Sequence, residues 1–422
     1  MARPGRGAGM ILHVEEAMLS PEFWIARMGE EAAHRVYNPQ AINQALKPPH
    51  LPFQEAIQTL RQGGDQAALI LPAGAVPQGY DRHGQPVTAA WQGQVQKNAI
   101  LEPFPERWGF SVTRAALRSW PTLDPVFRTP KDQEFDQLQQ TRVGVFEPLL
   151  ILGQSADGQW FLVQSPIYQG WVRQDDVAWC DALTFTRFAD RSHLVVITHP
   201  RQVVEPEPGS DEEPHVVSVG TMLPEATTFS VGHQASLVHV AVWWPQRAAD
   251  GSLSVRPALM VKGPGVHQGF LPATRANLLR VAFSLLGERY GWGDSFDRHD
   301  CSSFVRDVFQ TLGIHMPRNS SAQEQAVSWR QRLSGSYDER RIALEGALAG
   351  DVLFMPGHVM VYLGMYRGRP YALHAFVGYR HGGQVHWVNQ VMVSPLDIEL
   401  RDRDLPYLQG VTSVGAVLKT LE

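Results

Sequence analysis

The sequence predicts a multidomain chain: a short N-terminal helical segment, two small β-barrels and a C-terminal α+β domain. Three observations point there. A length of 422 residues is a prior of about three domains and enough chain to bury several cores. From Trp108 the texture is one of short β-type runs broken by turn signals, in two successive stretches. From Leu271 a helical spacing takes over, followed by longer strand-like runs around a turn at Gly368.

The N-terminal segment, over residues 1–100, carries Phe23, Ile25, Met28, Ile42, Leu46, Phe53, Ile57 and Leu60 at helical intervals with prolines between them, which predicts short helices. The first barrel is expected over 101–182, from "WGFSVTRAAL", "EPLLILGQSADGQWFLVQSP" and "GWVRQDDVAW". Asp157-Gly158 between Leu152 and Trp160 is a hairpin signal. The second is expected over 183–270, from "HLVVITHP", "ASLVHVAVWWP" and "RPALMVKGP", interrupted by the acidic loop "VEPEPGSDEEPH". The last domain, 271–422, opens with "ATRANLLRVAFSLLG", where Leu278, Leu279, Ala282, Phe283 and Leu286 share a helix face and Gly287 closes it.

Composition narrows the function classes. Hydrophobic residues at 44% and charged residues at 19% are globular values, and 37 Lys plus Arg against 42 Asp plus Glu leave no basic excess to hold nucleic acid. No run of about 18 apolar residues encodes a transmembrane segment. The N-terminus is a poor signal peptide, because its apolar stretch is short and ends in Glu15 and Glu16. Either the protein stays in the cytoplasm, as the chain is given, or the chain lacks a removed or misassigned leader. Its two cysteines, Cys180 and Cys301, make neither a disulfide framework nor a four-cysteine zinc site.

Cys301 lies in "YGWGDSFDRHDCSSFVRDVF", residues 290–309. Phe304, Val305, Val308, Phe309 and Leu312 recur at helical spacing, with Gly313 to end the helix, so Asp300 falls at the N-cap and Cys301 in the first turn. The positive end of a helix lowers a thiol pKa, so an ionised sulfur is expected. A nucleophile also needs a base and a group to orient it. His358 in "HVMVYLG" and His374 in "YALHAF" stand on runs either side of the predicted turn and can reach one cleft. Three bland readings stand beside this one. Cys301 can be core packing, as Cys180 at a strand end is taken to be. Cys301 with His299, His358 and His374 can ligate zinc. His299, His315, His381 and His386 read as surface or internally satisfied polar groups.

The pieces "LGERYGWGDSFDRHDCSSFVRDVFQTLGIHMPRNSSAQ", "GDVLFMPGHVMVYLG" and "LHA" occur in the order found in the NlpC/P60-type cysteine peptidases, and this part of the chain resembles that papain-like family. The upstream regions resemble its multidomain bacterial members, with an N-terminal stabilising segment and two SH3-like barrels. The resemblance implies hydrolysis of peptidoglycan stem peptides or muropeptides, commonly between γ-D-glutamate and meso-diaminopimelate or lysine, without cofactor or metal. It implies Cys301 as nucleophile, His358 as base and later acid, and His374 as the residue holding His358 in its working tautomer. It places Tyr290 near the nucleophile as an oxyanion donor, and Asp300, Ser302 and Ser320 as substrate contacts. Asp300 and Ser302 have structural readings as well, as helix cap and first-turn partner. The resemblance also makes the cell envelope the alternative location.

Two departures stand out: Asp294, where Gly-Trp-Gly is more often followed by glycine, and the long turn "MYRGRP" between the two histidine runs. Both bear on loop geometry. The barrels have two readings: rigid partners that narrow the cleft, or wall-binding modules presenting aromatics such as Trp120, Trp160 or Trp171. Core burial of barrel tryptophans favours the first. Rival functions are a catalytically silent wall-binding protein and a papain-like acyltransferase.

Overall fold

The computed structural model describes residues 13–46, 57, 74–207, 209–227 and 237–419; Phe53 and Leu60 of the expected N-terminal helices lie outside them. The chain divides into two compact units, one of Met1–Pro49, Phe270–Tyr290 and Arg298–Glu422, the other of His50–Gly269 and Gly291–Asp297. The stretch over residues 1–100 is thus split between the units after Pro49.

The first unit opens with helices α1 (Pro21–Met28), α2 (Glu30–His34) and α3 (Pro39–Ala45). Proline at the first position of α1 and α3 removes an N–H that has no partner there anyway, and Asn38 caps α3 by accepting from the Gln40 and Ala41 amides. These helices attach to the C-terminal part of the same unit. Trp24 is buried against Tyr371, with ring centroids 5.5 Å apart. Asn43 Nδ2 donates to the Gly313 carbonyl at 2.8 Å, and the His315 amide donates to Asn43 Oδ1 at 2.9 Å.

The second unit contributes α4 (Ala89–Asn98) and then strands β1 (Trp108–Ser111), β2 (Ala116–Arg118), β3 (Gln139–Arg142), β4 (Pro148–Gln154), β5 (Trp160–Gln164), β6 (Gln169–Arg173) and β7 (Val177–Cys180). They form one antiparallel sheet in the order β3-β2-β6-β5-β4-β1-β7. The β4–β5 hairpin turns at Asp157-Gly158 as expected, with Gly158 at φ +68°, a backbone conformation that glycine adopts without strain. Trp120, Trp160 and Trp171 are at most 8% exposed and belong to the core, so none of them presents a ring for wall binding.

After α5 (Ala182–Ala189), strands β8 (Leu194–Ile197), β9 (Gln202–Val204), β10 (His215–Val217), β11 (Met222–Pro224), β12 (His239–Arg247), β13 (Leu253–Val261) and β14 (Val266–Gln268) follow. They make three small sheets, β10-β9, β11-β8-β14 and β12-β13, joined by single bridges at Glu205–Leu259 and Glu225–Val242. Phe110, Phe146 and Leu150 from the first stretch share a core with Phe185, Val195, Val242 and Met260. The expected count of two small barrels is not confirmed: residues of the second stretch share an apolar core with residues of the first. Cys180 is buried in this shared core, where desolvation pushes its thiol up to about 12, as a packing residue should be.

The loop Gly291–Asp297 belongs to the second unit and is strained. Asp294, Phe296 and Asp297 sit at φ +62°, +60° and +55°, in the left-handed region that ordinary side chains avoid. Its contacts with β3 hold it there. Gln139 Nε2 donates to the Gly293 carbonyl at 2.8 Å, Thr141 Oγ1 and the Arg142 amide donate to Asp294 Oδ2 at 2.8 and 3.2 Å, and Arg142 pairs with Asp297 at 2.8 Å. Asp294, which departs from the usual glycine, thus carries a carboxylate that two donors need. Asp294→Ala removes that buried acceptor and leaves a left-handed alanine. We expect it to lower stability by about 2–3 kcal/mol, read as a fall in Tm, with Asp294→Asn losing less.

The rest of the first unit is built from α6 (Arg275–Ser284), α7 (Cys301–Gln310), α8 (Ser320–Ala326), β15 (Arg330–Arg332), α9 (Tyr337–Ala343), β16 (Val352–Met355), β17 (His358–Tyr366), β18 (Arg369–His381), β19 (Gln384–Pro395), β20 (Glu399–Leu400), α10 (Tyr407–Gly410) and β21 (Ser413–Gly415). The sheet order is β15-β21-β16-β17-β18-β19, antiparallel throughout. Asp351, just before β16, is locked to Arg275 of α6 at 2.8 Å, both side chains being almost fully buried. Among the described residues no helix is long and apolar enough to cross a membrane.

Candidate active site

Cys301 is the first residue of α7, and its N-cap is Asp300, whose Oδ1 accepts from the Ser302 and Ser303 amides at 3.0 and 2.9 Å. The Ser303 hydroxyl returns the favour by accepting from the Asp300 amide, which closes a capping box. The Cys301 amide at the helix start is not among the donors this cap takes up.

His358 is delivered by a tight turn. Met355 of β16 pairs with His358 of β17 across Pro356-Gly357, and Gly357 sits at φ +76°, the pattern of a type II turn. His374 stands on β18, whose register with β17 pairs Leu373 with Val361. Side chains two apart on a strand share a face, so this register puts His374 diagonally beside His358. Their rings meet: His358 Nε2 and His374 Nδ1 are 2.7 Å apart and share one hydrogen. The long turn noted in the sequence is absorbed by extension of the hairpin to Tyr366 and Arg369, with a bulge at Tyr362 and Gly364.

The backbone N–H groups of Val359 and Ser302 both act on the Cys301 thiol, each favouring its charged form. Val359 follows His358 directly, so nucleophile and imidazole share one neighbourhood.

Burial opposes the ionised sulfur expected from the helix start. Cys301 is 7% exposed. Burial, aided by the Asp300 carboxylate, pushes its thiol up to about 12, outweighing the two amides and Arg318. Burial also drives the His358 imidazole down to about 4 and His374 well below its ordinary value. Both shifts run toward the neutral forms of thiol and imidazole, because burial penalises a charge and opposes the pull of the helix N-terminus on the sulfur.

Tyr290 is buried, its backbone bridged to His299 and its amide donating to the Asn389 carbonyl at 2.9 Å. This ties it to the segment that runs into Asp300 and Cys301. Ser302 is buried with its hydroxyl donating to Asp300 Oδ1 and accepting from Arg318 Nη1 at 2.9 Å. Ser320 opens α8 and is half-buried. His299 is fully buried, with Glu288 at 2.5 Å on one nitrogen and Asp307 at 3.1 Å on the other. Burial alone would lower it, but these carboxylates win and raise it to about 9. With both nitrogens engaged it is no partner for a zinc ion, and among the described residues no group of three or more His, Cys, Asp or Glu side chains is placed to hold a metal.

Two residues of this neighbourhood escaped the sequence reading. Arg318, buried, forks onto Asp300 with Nη2 to Oδ2 at 2.7 Å and Nη1 to Oδ1 at 3.2 Å. It stands in the quoted "PRNSSAQ" segment, so a search for a counter-ion to Asp300 had a signal to find. Ser394 on β19 lies 2.8 Å from His374 Nε2 and is fully buried. Nothing local marks it, because only the register of β19 against β18 brings it there.

Comparison with known proteins agrees with this architecture. A model of the NlpC/P60 family matches residues 287–393, a span that includes Cys301, His358, His374 and Tyr290, and a model of the SH3 domain (SH3b1 type) matches 125–173. The chain is similar to an NlpC/P60 endopeptidase from Photobacterium damselae subsp. piscicida, with 18% identity, a TM-score of 0.72 and coverage of 94% of this chain and 97% of that one. It is also similar to an NlpC/P60 family protein from Bacillus cereus ATCC 10987, with 16% identity, a TM-score of 0.52 and coverage of 74% and 100%. A curated relative, dipeptidyl-peptidase 6 of Lysinibacillus sphaericus, is 23% identical over 266 residues, which are 62% of this chain and 86% of that protein. The chain therefore carries an NlpC/P60 family domain, holding the cysteine and both histidines, behind an SH3 domain of the SH3b1 type.

Proposed function

We propose that this protein is a cysteine peptidase that hydrolyses peptidoglycan stem peptides at the bond between γ-D-glutamate and meso-diaminopimelate or lysine. Support comes from the family domain at 287–393 and from relatives described as an endopeptidase and a dipeptidyl-peptidase. The observation that carries the reading is the contact of His358 with His374 at 2.7 Å, with the amide of Val359, the next residue, among the groups that favour the charged form of the Cys301 thiol. In this proposal 271–422 is the catalytic domain, and residues 1–100, 101–182 and 183–270 are its stabilising segment and β-rich partners.

The chemistry starts from a neutral pair. The Cys301 thiol passes its proton to Nδ1 of His358, the nitrogen left over by the contact with His374, as the sulfur attacks the scissile carbonyl. The tetrahedral oxyanion takes the Cys301 amide and the Tyr290 hydroxyl, each donor being worth on the order of 3 kcal/mol. The His358 imidazolium then protonates the departing amine, and water activated by His358 releases the thioester. We assign Asp300, Ser302 and Ser320 to the amino end of L-Ala-γ-D-Glu. Asp300 Oδ1 is committed to the helix cap and Arg318, whereas among the described residues Oδ2 accepts from Arg318 alone, which leaves a lone pair for an ammonium group.

The test is mass spectrometry of L-Ala-γ-D-Glu-diaminopimelate after incubation with wild type and Cys301→Ala. Wild type is expected to release L-Ala-D-Glu and diaminopimelate, and the alanine variant neither. Cleavage by Cys301→Ala at the wild-type rate, or a new amide or ester in place of two fragments, sinks the peptidase reading.

A further inference from the structure

We infer that Ser394 is a positioning residue of this site, setting the tautomer of His374 and through it the basic nitrogen of His358; the inference rests on the reading of Cys301 and His358 as nucleophile and base. Three groups lie in a line, of which His374 and Ser394 are fully buried. His358 Nε2 is 2.7 Å from His374 Nδ1, and His374 Nε2 is 2.8 Å from the Ser394 hydroxyl. Register explains the alignment, since His374 pairs with Met392 across β18 and β19, and Ser394 is two residues along on the same face. Phe376 and Tyr407 pack on the His374 ring, at centroid distances of 4.5 and 6.0 Å, and hold it in place.

A neutral imidazole carries one hydrogen, so the line has two arrangements. In one, His358 donates from Nε2 to His374 Nδ1, and His374 donates from Nε2 to Ser394. This leaves His358 Nδ1 bare and able to take the thiol proton. In the other every bond is reversed, His358 carries its hydrogen on Nδ1, and that nitrogen cannot act as a base. When His358 becomes an imidazolium it must donate from Nε2, so only the first arrangement is compatible with turnover, and it needs an acceptor at the end of the line. Ser394 is the hydroxyl found there. His374 is 0% exposed, so water does not replace it freely.

The test is long-range proton–nitrogen NMR of the full chain labelled with 15N-histidine, alongside steady-state kinetics. Wild type is expected to show both His358 and His374 protonated on Nε2. Ser394→Ala is expected to place hydrogen on Nδ1 of His374 in a substantial fraction of molecules. Its kcat should fall about 10- to 100-fold at unchanged KM, the size expected when the outer hydrogen-bond partner of a working histidine is removed. Ser394→Thr, which keeps the hydroxyl on a β-branched side chain suited to a strand, should restore both readouts. A wild-type His374 protonated on Nδ1, or a Ser394→Ala protein with unchanged nitrogen shifts and kcat, overturns the inference. The tautomer is read without turnover, so failure of the peptidase reading shows in the Cys301→Ala products and failure of this inference in the nitrogen shifts.

Discussion

His358→Ala is expected to lower kcat for stem-peptide cleavage by about ten-thousand-fold with little change in KM, because the alanine removes the base that takes the thiol proton and the acid that frees the amine. Groups that act as a unit do not add. The Cys301→Ala, His358→Ala double variant should therefore be no slower than the slower single one. The pH dependence follows from the direction of the shifts. A base whose pKa is depressed stays neutral and competent above it, so with His358 lowered from 6.5 to about 4, kcat/KM should hold its neutral-pH value well below pH 6.5. A thiol raised from 9.0 to about 12 is protonated throughout that range, so alkylation by iodoacetamide should be slow at neutral pH and still rising beyond pH 9.0. A flat, rapid alkylation rate across acid and neutral pH would mean a thiolate–imidazolium pair already present at rest, and the neutral starting state would have to be abandoned.

Asp351→Ala is the largest expected loss of stability. Arg275 is buried and donates to the Ala349 and Leu418 carbonyls as well as to Asp351 Oδ1, joining α6 to the start of β16 and to the chain end beyond β21. Without the carboxylate a guanidinium stays buried with no counter-charge, which costs about 3–5 kcal/mol. That is a large share of the 5–15 kcal/mol that holds a typical domain, at about the same order. In urea the midpoint should drop while the slope stays as in wild type. Replacing both partners by apolar residues, Arg275→Met with Asp351→Leu, should recover most of the loss, since burying neither charge also avoids their desolvation. A midpoint unchanged in Asp351→Ala would show that the Gly-Asp step before β16 is not kept for this pair.

Much of the site was legible because its signals are local. Asp300 as N-cap, Cys301 at the helix start and Gly313 after the helix end follow from the spacing of Phe304, Val305, Val308 and Phe309 and from short-range amide chemistry. The β17–β18 hairpin was readable from its apolar runs and its turn at Gly368, though its register was not. What local signals leave open is non-local. An ionised sulfur follows from the helix start taken alone, but the burial that opposes it comes from packing that brings β17 over the same atom. Two separate barrels follow from two β-rich stretches read one after the other. That Phe146 and Met260 meet in one core is a long-range fact with no trace in either stretch.

By itself the order of residues determined the helix caps, the tight turns and which residue types are available for catalysis, because these depend on partners within a few positions along the chain. Only the tertiary structure decided which histidine faces which, that Ser394 ends the line and Arg318 holds Asp300, and how burial opposes a charge on the thiol. Hydrogen-bond partnership and desolvation are set by neighbours in space, and strand register and core sharing place those neighbours far apart in the sequence.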